Sequence, residues 1–68
     1  MFYVVAEFQP NIDSLDLYEE VKYYHLNVCD IIMAVYVHGL VSVSDIGKVM
    51  VICAKYNMID INLYDAAD

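Results

Sequence analysis

Only Pro10, Gly39 and Gly47 interrupt the backbone regularity of this chain, so its possible turning points are few and each carries information. Before Pro10, Phe2 to Phe8 is β-branched and aromatic and reads as a strand. Phe2, Val4, Ala6 and Phe8 face one side of it; Tyr3, Val5 and Glu7 face the other. After the turn Gln9-Pro10-Asn11, Asp13 or Ser14 is a ready helix N-cap. Asp16, Glu19 and Glu20 follow, where the helix dipole favours negative charge. Leu17, Val21, Tyr24, Val28, Ile31 and Val35 recur at steps of three and four, which predicts one long helix. Its opposite stripe holds Asp16, Glu20, Tyr23, Asn27 and Asp30. From Ile31 to Val37 the helix is apolar all round, placing Ile31, Ile32 and Val35 in the core or an oligomer interface, and Gly39 fits the C′ position. A hairpin through 34–43, turning at His38-Gly39, competes with that reading because the segment is rich in β-branched residues.

Ser42-Val43-Ser44-Asp45 matches a capping box and starts a second predicted helix, running to about Tyr56. Val43, Ile46, Val49, Met50 and Cys53 form its apolar stripe, with Ser44, Lys48 and Lys55 on the wet side. Asn57 suits a left-handed helix end. Met58 to Tyr64 alternates: Ile59, Ile61 and Leu63 point one way, Asp60, Asn62 and Tyr64 the other, as in a half-buried strand. Asp65 to Asp68 is an acidic tail. The expected architecture is therefore an α+β strand-helix-helix-strand domain spanning residues 1–68. A helical hairpin packs on a two-stranded antiparallel sheet, which dimerisation could extend at its open edges.

Composition supports assembly. Hydrophobic residues make up 62% of only 68, against roughly 45–50% in an ordinary soluble domain. A chain this short buries about 60% of its unfolded surface. Apolar side chains must therefore remain outside, where contiguous patches mark interfaces. A homodimer or higher oligomer is expected. The formal charge is −7, with three lysines and no arginine. Direct nucleic-acid binding and attraction to an anionic membrane both need a basic footprint that is missing. A basic protein surface is the complementary partner; alternatively, the acidity serves solubility alone. The longest uncharged run, Ile31 to Ser44, falls short of the roughly 20 residues of a membrane helix. The first residues lack the pattern of a signal peptide. With two cysteines, too few for a disulfide framework, the reading is a cytoplasmic protein with free thiols.

No chemistry-bearing constellation stands out. His25 and Cys29 are four apart, half of a zinc site, yet Cys53 and His38 would have to be recruited to complete it. No metal or cofactor is expected. Cys29 sits beside Asp30, the wrong neighbour for an activated thiolate. Glu19 and Glu20 diverge by about 100° on a helix and do not converge on a bond. The expectation is a non-enzyme.

Gly39 to Lys48 has the cadence of a helix-turn-helix entrance, so a DNA-binding regulator is a weak alternative. The seven tyrosines suit an interface, since tyrosine joins contact area to a polar tip. The favoured function is a small acidic protein-binding module, an inhibitor occluding a basic surface on another protein, of the kind that holds nucleic acid. Asp16, Glu19, Glu20, Tyr23, Asn27 and Asp30 are the expected partner-binding face, three carboxylates of it lying along one helix like a row of phosphates. Small, acidic, arginine-free inhibitor proteins made by viruses and phages have this general character, a likeness of style without a shared motif. The alternative is an oligomerising structural or regulatory subunit.

Overall fold

The computed structural model describes residues 1–66, so the end of the expected acidic tail lies outside it. Strand β1, Phe2–Phe8, forms as its alternation requires, with Val4, Ala6 and Phe8 fully buried. Asp13 caps helix α1, Ser14–Val21, its carboxylate accepting from the Asp16 backbone N–H at 3.0 Å. Leu17 and Val21 turn inward from this helix.

The predicted long helix stops far short of Val35. A 3₁₀ turn, Lys22–Tyr24, ends at His25, which adopts the left-handed conformation at φ 60°. Strand β2, Asn27–Ile31, follows, then a tight turn at Ile32-Met33 and strand β3, Ala34–Val41. The hairpin considered over 34–43 does not form either, since His38 and Gly39 lie inside the single strand β3; the hairpin present joins β2 to β3 and turns at Ile32-Met33. Ile31 to Val37 satisfies both a helical and an alternating pattern. What decides is the sheet: β3 pairs antiparallel with β1, Ala6 opposite Val37 and Phe8 opposite Val35. That pairing satisfies a β1 edge that a helix would have left open. Val35, Val37 and Val41 then point into the core, while Ile31 and Ile32 are exposed.

Gly39 has a different task from the helix end expected of it. Its φ is +151°, and a Cβ there would stand 2.8 Å from Leu26 Cδ2. Glycine lets Leu26, the residue before β2, bury itself against β3.

A 3₁₀ turn, Val43–Asp45, leads into helix α2, Ile46–Lys55. Ser42 does not cap a backbone N–H. Its hydroxyl bonds the Asp45 carboxylate at 3.0 Å. The buried stripe is Val49 and Cys53, flanked by half-buried Ile46 and Ile52, so Val43 and Met50 lie outside. Asn57 closes the helix at φ 59°, as its position suggested. Strand β4, Asp60–Asp65, pairs antiparallel with β1, Ala6 opposite Ile61 and Val4 opposite Leu63.

The sheet therefore has four antiparallel strands in the order β2-β3-β1-β4, not two. The element order βαββαβ, with β3 inserted between β1 and β2, is the split-βαβ or ferredoxin-like arrangement. It hosts many unrelated functions and implies none. Both helices contribute to the one core cluster with the even residues of β1 and the odd residues of β3. Among the described residues neither helix covers the opposite face of the sheet. The Gly39–Lys48 cadence runs from a strand through a 3₁₀ turn into α2, so it is not a turn between two helices. Among the described residues no helix is long and apolar enough to cross a membrane.

Candidate protein-binding surface

The expected acidic row does not lie on one helix. Asp16, Glu19 and Glu20 are on α1, Tyr23 is in the 3₁₀ turn, and Asn27 and Asp30 are on β2. Strand alternation sends those last two to opposite sides of the sheet. Several of these groups are already engaged within the chain. Glu20 accepts from Lys55 Nζ at 2.6 Å and from the Tyr56 hydroxyl at 2.5 Å, tying α1 to the end of α2. The Lys55 contact, then the Tyr56 hydroxyl, holds the Glu20 carboxyl below the usual range. The same bond to Glu20 pushes Tyr56 up to about 12. Glu19 pairs with Lys22, which raises the lysine. Asp30 accepts from Ser14 Oγ at 2.7 Å, holding β2 to the start of α1. Asp16 and Tyr23 remain exposed, and Lys22 Nζ lies 5.7 Å from the Tyr23 ring centroid, within cation–π reach.

A second surface is built by the strands. Residues opposite one another in an antiparallel ladder share a face, so the register defines the open side row by row. Across it run Asn27, His38, Val5 and Asn62; then Cys29, Tyr36, Glu7 and Asp60; then Leu40, Tyr3 and Tyr64. Tyr3, Leu40 and Tyr64 are 39%, 49% and 56% exposed, a contiguous row of large apolar bodies. The Tyr3 hydroxyl lies 3.3 Å from His38 Nδ1, which fixes the tilt of the two rings.

Glu7 and Asp60 are direct register partners on this face. Like charges so placed oppose pairing, and among the described residues no lysine pairs with either. All three lysines belong to the helical layer: Lys22 pairs with Glu19, Lys55 with Glu20, and Lys48 lies on α2. The lysines are thus confined to the helical layer, where Asp13, Asp16, Glu19, Glu20 and Asp45 also lie, while the open face carries carboxylates without lysine. The outward residues of β1 and β4 were legible from alternation. Tyr36 and His38 fall in the stretch expected to be helical and Leu40 just beyond its Gly39 end, so alternation does not reveal them on this face.

The two thiols and two imidazoles do not converge. Cys53 is buried, and burial pushes its thiol up to about 11, while Cys29 is exposed on the edge strand. Among the described residues no group of three or more His, Cys, Asp or Glu side chains could hold a metal. A cavity of about 440 Å³, open to solvent, lies between the β1–α1 turn and the end of α2, lined by Gln9, Asn11, Ile12, Asp13, Lys55, Tyr56 and Asn57. It holds no cysteine or histidine, and its lysine is already bonded to Glu20. Comparison with protein-family models, with curated proteins and with solved structures finds no match to this chain.

Proposed function

We propose that this chain is a protein-binding module that seats a basic surface of another protein on the open face of its sheet and acts by occluding that surface. The carrying observation is the composition of that face: three tyrosines, two carboxylates in register, and no lysine. Tyrosine rings accept the stems and heads of arginine and lysine. A Glu7–Asp60 pair that opposes itself in the free protein is relieved when a cation comes between the two carboxylates. Opposite potentials also speed encounter. The helical side is a poorer receptor, because Glu19 and Glu20 are already paired with lysines, whereas on the open face Asp60 is bonded only by the Ile61 backbone N–H and meets no cation among the described residues.

The test is a titration of the ¹⁵N-labelled full chain with an arginine-rich peptide, followed by amide shifts. Changes centred on Tyr3, Glu7, His38, Asp60 and Tyr64, weakened by Glu7→Gln with Asp60→Asn, support the open face. Changes centred on 16–23 would move the site to α1. No saturable shift at low salt, where such attraction is strongest, would refute a basic partner altogether.

A further inference from the structure

The geometry points to a second copy of this chain as the occupant of the free β2 edge, joined about a two-fold axis at Cys29 into one eight-stranded sheet. The two edges of the sheet differ. β4 carries Asp60 and Asp65 at its ends, charges of the kind that deter edge pairing. β2 has one charge, Asp30, and that carboxylate is held by Ser14. It has no lysine, proline or glycine. Beside this open edge, Ile31, Ile32 and Met33 are 47%, 93% and 81% exposed in sequence. Single exposed apolar side chains need no explanation, but three in a row on a projecting hairpin do.

The occupant follows from register. Antiparallel partners share a face, so two copies keep their open faces on the same side only when paired residue numbers have an even sum. Among such registers only one uses the whole of β2, Asn27–Ile31. In it Asn27 meets Ile31 of the other copy, Val28 meets Asp30, and Cys29 meets Cys29. Centring on Asp30 instead would set two carboxylates face to face. The edge is therefore self-complementary, as a two-fold interface requires. Continued past the strand, the same register carries Ile32 and Met33 over Leu26 and His25 of the other copy, beside its exposed Tyr23. The apolar tip thereby gains cover. The two open faces also become one continuous platform, although the contact itself uses the edge and stands independently of any basic partner.

Cys29 makes the register measurable. Directly opposed residues have Cα atoms about 4.5 or 5.5 Å apart, depending on the hydrogen-bonding phase, and a disulfide spans both. Diamide should therefore link the copies: two Cys29 thiols become one S–S bond, and their two hydrogens reduce the diamide N=N bond to a hydrazine. Cys53, buried in the core, should not react. The full chain is expected to give a covalent dimer of the 7.8 kDa protomer. The Cys29→Ser variant should give none, yet should sediment as the same non-covalent dimer. Ile32→Asp with Met33→Asp, both outside the core, should raise the dimer dissociation constant at least tenfold with an unchanged circular dichroism spectrum. Each copy carries −7, so dimerisation should strengthen with added salt, whereas a complex with a basic peptide should weaken. A 7.8 kDa species at all concentrations and salt levels, or cross-linking that survives Cys29→Ser, would overturn the interface and leave the open-face reading standing.

Discussion

Gly39→Ala is expected to destabilise the fold by roughly 2–4 kcal/mol, combining backbone strain at positive φ with overpacking. The structural cause is specific: φ is +151°, and the new methyl would stand 2.8 Å from Leu26 Cδ2 and 3.4 Å from the His25 carbonyl oxygen. Leu26 is itself 2% exposed and has little room to retreat. For 68 residues, the usual 0.05–0.15 kcal/mol per residue gives a total stability of roughly 3–10 kcal/mol, so the effect is large. Leu26→Ala alone should cost about 2–5 kcal/mol. Since it removes the clashing atom, the double variant should lose about 1 kcal/mol less than the sum of the singles. Urea unfolding of all four proteins, followed by far-ultraviolet circular dichroism at one protein concentration, measures the cycle. An osmolyte added equally to each keeps the weakest one folded. Had residues 13–38 formed one helix, Leu26 and Gly39 would stand roughly 20 Å apart and would not couple. Strict additivity, or a Gly39→Ala loss below about 0.5 kcal/mol, an ordinary surface effect, would refute the placement of Leu26 over β3.

Further outcomes follow from the same packing. Val35→Ala should lower the urea midpoint markedly, because Val35 is fully buried. Ile32→Ala should leave it within about 0.5 kcal/mol at concentrations where the chain is monomeric; equal losses would contradict the hairpin. Glu20 has a folded pKa below its ordinary value of 4.5, so the stability it contributes is complete above that value and is lost as pH falls through the lowered one. Urea midpoints measured between pH 7 and 3 should show this acid-side loss in wild type and a smaller one in Glu20→Gln; identical profiles would disprove the Lys55–Tyr56 clamp. Ellman's reagent should label Cys29 promptly in the native monomer and Cys53 only on unfolding, since Cys53 is buried with its thiol pushed up to about 11. Rapid reaction of both thiols would refute the packing of α2.

Much of this fold was legible without coordinates wherever one periodicity had no rival. Phe2–Phe8 alternates cleanly, Asp13 has a carboxylate at a helix start and Asn57 tolerates the left-handed end, and all three took the expected form; the alternation read over 58–64 became strand 60–65, with Ile59 outside it, Asp65 inside it and Leu63 exposed. The outward rows Tyr3, Val5, Glu7 and Asp60, Asn62, Tyr64 came with them, and with these most of the open face. Residues 25–41 were different. Their apolar positions satisfy a repeat of three-to-four and a repeat of two, so local pattern could not choose between helix and hairpin. The choice was made by β1, whose second edge needed a partner and whose inward residues needed Val35 and Val37 opposite them. The same step separated Asn27 and Asp30 from Asp16 and Glu20, because side chains a turn apart on a helix part company once half of them enter a strand. Carboxylate engagement was also tertiary: Ser14 lies sixteen residues from Asp30, and Lys55 lies thirty-five from Glu20. Hydrogen bonds across such separations depend on how β2 and α2 pack against α1, which no short window of sequence contains.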